Sequence, residues 1–236
     1  MTGIEGYTRY AVFWAPQAGS GLARFGATWL GWDAEAGCDV AKPDVPVPRP
    51  LEQITHAPRR YSFHGTLKPP FRLAEGADAA TLDQATRELA ARTRPVTAPG
   101  LAPSTRLGFL ALMPTGPAPA LDALAAACTR GLDCFRAPAS EAKSTQRHAR
   151  SLTPRQEANL TRWGYPYVLD DFRFHLTLSG RLRPGEAEPL TEAVMALAAP
   201  HLEPILHLDD ICLYGDPGAG EGFRLLRRYP LAGRVD

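Results

Sequence analysis

Two short runs in this chain hold residues able to move protons and grip an oxyanion: Phe63-His64-Gly65-Thr66-Leu67 and Phe174-His175-Leu176-Thr177-Leu178. An imidazole with an ordinary pKa of about 6.5 can take or give a proton near neutral pH, and a hydroxyl two residues on can donate a hydrogen bond to a phosphate oxygen. A single His-x-Thr means little, because 6 histidines in 236 residues give about 0.4 of them by chance. The shared flanks, Phe before and Leu after, turn the pair into an internal repeat. Two equivalent imidazoles then suggest a general acid and a general base for one reaction. His56, His148, His201 and His207 have no repeat partner and read as non-catalytic.

Strand alternation sorts the neighbours. With side chains pointing to opposite faces at period two, His64, Thr66 and Lys68 share one face while Phe63, Gly65 and Leu67 point into a core. The second run repeats this: Arg173, His175, Thr177, Ser179 and Arg181 oppose Phe172, Phe174, Leu176 and Leu178. A polar face of imidazoles, hydroxyls and cations suits a phosphoryl group.

The elements that must position these faces also repeat. Residues 7–15 read as a buried strand and 21–32 as a helix, followed by a proline-rich stretch from Lys42 to Pro50 that excludes regular structure. Strand is expected around the first motif over 60–73, then a helix over 79–92 and strands over 96–101 and 106–113. A helix over 121–135 and another over 154–163, with Thr153 as N-cap and Pro154 at the first position, precede strand over 172–182. A helix over 186–199 and strands over 205–214 and 223–229 complete the second set. Each motif strand is thus followed by one helix and two strands. That order predicts an α+β fold of two pseudo-symmetric lobes, each a mostly antiparallel sheet with helices outside, about 1–116 and about 117–236, with the active-site cleft between them.

Lys plus Arg (26) nearly cancels Asp plus Glu (25), so no overall field recruits nucleic acid or an anionic membrane. Long RNA is disfavoured as a partner, although Lys143, Arg147, Arg150 and Arg155 form a local basic run. Cys38, Cys128, Cys134 and Cys212 have no metal-binding spacing. With no secretory signal and no apolar run long enough to span a bilayer, they read as reduced thiols in a cytoplasmic protein.

The paired His-x-Thr strands, the longer run from Tyr61 to Phe71, and the runs Leu152-Thr153-Pro154-Arg155-Gln156 and Trp163-Gly164-Tyr165-Pro166-Tyr167-Val168 resemble the two-histidine (2H) phosphoesterase superfamily. Within it they resemble a bacterial branch often encoded among phosphonate-utilisation genes. The resemblance covers nearly the whole chain in layout. It implies metal-free, cofactor-free cleavage of a small, commonly cyclic, phosphodiester, with His64 and His175 as acid and base and Thr66 and Thr177 on phosphate oxygens. Lys68, Arg173, Ser179, Arg181, Arg150 and Tyr165 are the further candidates for lining the substrate. Two other classes stay open: a phosphate- or nucleotide-binding module without turnover, and a hydrolase using His64 and His175 as metal ligands, which the lack of a carboxylate at ligand spacing weakens. Which histidine is the acid, and whether water or a ribose hydroxyl attacks, is not set by the sequence.

Overall fold

The computed structural model describes residues 3–138 and 152–233. The apolar run near the start forms β1 (Arg9–Trp14), and α1 (Gly21–Leu30) follows, its first turn capped by the Ser20 side chain on the Ala23 N–H. A short hairpin of β2 (Trp32–Asp33) and β3 (Cys38–Asp39) leads through the proline-rich stretch to α2 (Leu51–Arg59). The first motif enters β4 (Gly65–Phe71), followed by α3 (Ala79–Arg92), β5 (Val96–Pro99), β6 (Leu101–Ser104) and β7 (Phe109–Pro114). After α4 (Pro119–Gly131) and α5 (Pro154–Trp163) the second motif enters β8 (Leu176–Arg181). The chain then runs through α6 (Ala187–Ala198), β9 (Ile205–Leu208), β10 (Asp210–Asp216) and β11 (Arg224–Pro230).

The fold is α+β with antiparallel pairing, but the two motifs do not sit on facing sheets. They lie on adjacent strands of one seven-stranded sheet, in the order β11-β10-β1-β4-β8-β7-β6. The strands are also exchanged between sequence halves: β6 and β7, from the first half, join β8, while β10 and β11, from the second, join the β1–β4 side. A boundary near 116 therefore divides the sequence and not the sheet. The equivalents β5 and β9 pair with each other in a separate ribbon. Pairing β4 with β8 satisfies backbone groups that two separate sheets would leave at open edges.

Strand β4 departs from simple alternation. Phe13 on β1 faces Thr66, yet the next residue, Val12, faces Lys68, so β4 carries one extra residue there. Such a β-bulge reverses the facing of the residues after it, up to a second register shift before Phe71. Leu67 and Lys68 both turn into the core, and Lys68 ends only 2% exposed, its ammonium donating to the Thr129 carbonyl at 3.1 Å and to Asp133 at 3.3 Å. Two glycines mark close approaches. A Cβ on Gly65 would overlap the ring of Phe174, and one on Gly26 would overlap Phe63, so the two motif phenylalanines pack where side chains have been removed.

The main core lies on the face where Val12, Leu67, Leu112, Leu176 and Leu178 meet Trp29, Ile54, Leu82 and Leu121 from the helices. Trp29 is wholly buried and donates its indole N–H to the Leu178 carbonyl at 2.8 Å, tying α1 to the second motif strand. A smaller cluster of Ala11, Phe13, Trp32, Tyr214 and Phe223 covers the other face beside β1. All four cysteines are free, and no helix among the described residues is long and apolar enough to cross a membrane.

Candidate active site

The geometry of the site follows from one register. Gly65 pairs with Leu176 in antiparallel sense, which sets His64 across from Thr177 and Thr66 across from His175 on a shared face. Each imidazole is therefore opposite the hydroxyl of the other repeat. The next strand outward continues the row, with Phe13 beside Thr66 and Ala111 beside Thr177. A cleft of about 640 Å³ opens over this face, lined by His64, Thr66, Thr177 and Phe109, by Tyr61, Pro69 and Pro70, and by Arg9 and Arg181. His175 packs against Phe109, ring centroids 5.6 Å apart.

Both imidazoles are held alike. His64 Nδ1 donates to the Ser62 carbonyl at 3.1 Å and His175 Nδ1 to the Arg173 carbonyl at 2.7 Å, each two residues upstream. With Nδ1–H so engaged, Nε2 is the nitrogen left for chemistry, and in His64 it lies 3.0 Å from the Thr66 hydroxyl. Ser62 reaches its position with a φ of 65°, a left-handed conformation that costs a non-glycine residue of the order of 1 kcal/mol and is held here by the Ser62 N–H bond to Arg59.

The two rings differ in environment. His64 is 9% exposed and stacks on Phe13 at 3.7 Å. Burial, helped by the charge of a protonated His175, lowers its pKa to about 4 against the support of the Ser62 carbonyl. Burial also lowers the pKa of His175, which the Arg173 carbonyl partly offsets. His64 is thus a neutral imidazole at physiological pH.

Among the other candidates, Thr66 and Thr177 line the cleft, and so do Arg181 and Tyr165, the latter edge-on to Tyr167 at 5.7 Å. Ser179 borders it, but its hydroxyl is engaged by the Leu110 N–H and the Gly180 carbonyl, both at 2.8 Å. Lys68 is turned away by the bulge, as described. Arg173 turns its guanidinium back onto the Asp170 and Phe172 carbonyls and contributes a carbonyl in place of a cation. The strand expected from 172 begins only at Leu176, because Phe172 closes a turn on the Leu169 carbonyl. Arg150, with Lys143 and Arg147, lies outside the described residues, and Arg155 is held by Asp171 at 2.7 Å. Phe13, the Ser62 carbonyl, Phe109 and Arg9 were not legible as site residues, since none belongs to a repeated motif and each arrives through strand pairing or a turn. No group of three or more His, Cys, Asp or Glu among the described residues is placed to hold a metal ion.

Comparison with known proteins adds relatives to this geometry. The chain is 34% identical over 98% of its length to a ribose 1,5-bisphosphate phosphokinase PhnN of Janthinobacterium sp. (strain Marseille), and 36% identical over 93% to the protein of that name from Laribacter hongkongensis (strain HLHK9). It spans about half of each, 52% and 51%. Solved structures similar to it include a phosphoesterase (15% identity, TM-score 0.41, 95% of this chain and 98% of that one) and E. coli LigT with NADP+ (14%, 0.42, 96% and 99%). A family model described as a protein of unknown function, DUF1045, matches residues 66–224, and the chain belongs to that family.

Proposed function

We propose that the cleft hydrolyses a small phosphodiester, cyclic and on a ribose, by acid–base catalysis between His64 and His175. The observation that carries this reading is the cross-strand square, each imidazole opposite the other motif's threonine. His64, neutral through burial, takes the proton of the attacking water at Nε2. A new P–O bond forms, the hydroxyls of Thr66 and Thr177 donate to the non-bridging oxygens as charge gathers there, and the ester P–O bond breaks. His175, less buried and so the more readily protonated of the two, gives the proton it carries at Nε2 to the departing alkoxide. The ring opens to a single product that carries the freed hydroxyl and a phosphate monoester, and the two histidines have exchanged protonation states. Two imidazoles and two hydroxyls without a carboxylate are a poor donor set for a metal.

The kinase named in the longer relatives belongs, in this reading, to the half that this chain does not span. Gly21 and Gly26 have the glycine spacing of a phosphate-binding loop, but Ala27 stands where its lysine would be, and no G-x-x-x-x-G-K-[ST] occurs in the sequence. A domain fused to an enzyme of ribose phosphates points to ribose phosphodiesters as the substrate class, in keeping with the phosphonate-utilisation link the sequence resemblance implies.

The test is hydrolysis of cyclic ribose and nucleoside phosphates with EDTA present. Turnover that survives the chelator and falls in both His64→Ala and His175→Ala supports the reading. Turnover abolished by EDTA and restored by a divalent ion, or untouched by either substitution, overturns it.

A further inference from the structure

At about 640 Å³ the cleft is larger than one phosphate needs, and its Arg9 end has room for a second anion. Arg9 lines the cleft and lies on the same face of β1 as Phe13, on which His64 stacks. Four residues of strand separate the two by about 13 Å between Cα atoms, and the arginine side chain covers part of that. The Arg9 guanidinium is fixed: Nε and Nη2 donate to the Asp216 carboxylate at 2.8 and 2.5 Å, and its carbon lies 5.4 Å from the centre of the Phe223 ring. Asp216 is 1% exposed, and the Gly218 N–H occupies its other oxygen at 3.0 Å. Nη1 of Arg9 makes no hydrogen bond among the described residues. A second guanidinium, Arg60, approaches the same carboxylate oxygen at 3.5 Å, and its Nε is buried with no partner. Two arginines share one carboxylate, leaving a net positive charge in a partly desolvated place with donors to spare. Tyr61, stacked on Phe223 at 5.3 Å, lines the same cleft and shares that ring with Arg9.

We infer that this end binds a phosphate monoester carried by the same substrate, so that the molecule cleaved is a cyclic phosphodiester of a sugar phosphate and the product a sugar bisphosphate. The inference rests on the phosphodiesterase reading and narrows its substrate. Arg9 and His64 line one cleft, so a single small sugar carrying both phosphates can present one to each. Arg181, on β8, is the weaker candidate, because it is exposed and no carboxylate among the described residues orients it.

The experiment compares cyclic ribose phosphates, and adenosine 2′,3′-cyclic phosphate, each with and without a phosphate on the 5-position. One or two charge-assisted hydrogen bonds favour the 5-phosphorylated member by about 10- to 100-fold in kcat/KM. In Arg60→Gln, and in Arg9→Gln combined with Asp216→Asn so that no carboxylate is stranded, that ratio should collapse towards 1 while thermal melting shows the fold retained. Equal rates for both members in the native protein, a ratio that collapses in Arg181→Gln alone, or an oligoribonucleotide cyclic end preferred as strongly as the 5-phosphate, would overturn the assignment. A binding arm separates its failure from that of the catalytic reading: by calorimetry, ribose 5-phosphate should bind the native protein and lose affinity about 10-fold or more in the Arg9 and Arg60 variants whether or not any diester is cleaved. Indifference of that binding to both variants refutes the subsite even if diesters are turned over.

Discussion

Acid should weaken this fold through His64. Unfolded, its imidazole has a pKa near 6.5; folded, burial against Phe13 lowers it to about 4. Above pH 6.5 the ring is neutral in both states and adds no pH dependence. Between 6.5 and 4 only the unfolded chain takes the proton, so stability falls as pH falls through that window, and below 4 the loss saturates. At about 1.4 kcal/mol per pKa unit the full effect is roughly 3 kcal/mol, a sizeable part of a typical domain's 5–15. His175, also lowered, acts in the same direction. Carboxylates titrate in the lower part of the window, so the informative quantity is the difference between the native protein and His64→Gln, which cannot ionise. Urea unfolding of both at pH 7.5, 6.5, 5.5 and 4.5 should show the native protein losing about 2–3 kcal/mol more than the variant on descent. In the same samples the His64 ring proton, followed by NMR, should titrate near 4, and Phe13→Ala, by admitting water, should move it back towards 6.5. Parallel stability curves, agreeing within about 0.5 kcal/mol at every pH, would show that His64 is not desolvated as described.

The site itself predicts more. His64→Ala and His175→Ala should each lower kcat/KM by about 10²–10⁴-fold, with the double variant losing less than the product because the two act on one transition state. The pH profile of kcat/KM should be bell-shaped with its maximum on the acid side of neutrality, since both imidazoles are lowered from 6.5; an optimum well above pH 7.5 counts against the pair. Thr66→Val and Thr177→Val should each cost about 1.5–3 kcal/mol in kcat/KM, and a variant with unchanged kinetics does not hold phosphate. Lys68→Ala should lower stability by about 2–4 kcal/mol and leave KM unchanged, because its ammonium serves Thr129 and Asp133; a KM effect without loss of stability would return it to the cleft. Gly65→Ala should disrupt both motifs at once by displacing Phe174, seen as a lower melting temperature together with lost turnover.

What the sequence determined on its own is local. The repeated Phe-His-x-Thr-Leu, the alternation that set Thr66 and Thr177 against Phe63 and Phe174, and the capped helix from Pro154 are statements about neighbours along the chain, and backbone periodicity and capping chemistry decide them. Even there the short helix Leu51–Arg59, with Pro50 before it and Pro58 inside, has no strong signal of its own; burying Leu51, Ile54 and Thr55 holds it. The tertiary structure decided everything that depends on which strand lies beside which. Strand pairing is non-local, so nothing within the first motif specifies that β8 is its neighbour, that β6–β7 and β10–β11 cross between the halves, or that a bulge opposite Val12 turns Lys68 from the cleft into the core. The same pairing slides Phe13 under His64 and makes one of two matching motifs the more deeply buried. Sequence made the two histidines equivalent, and desolvation, a property of surroundings, made them different.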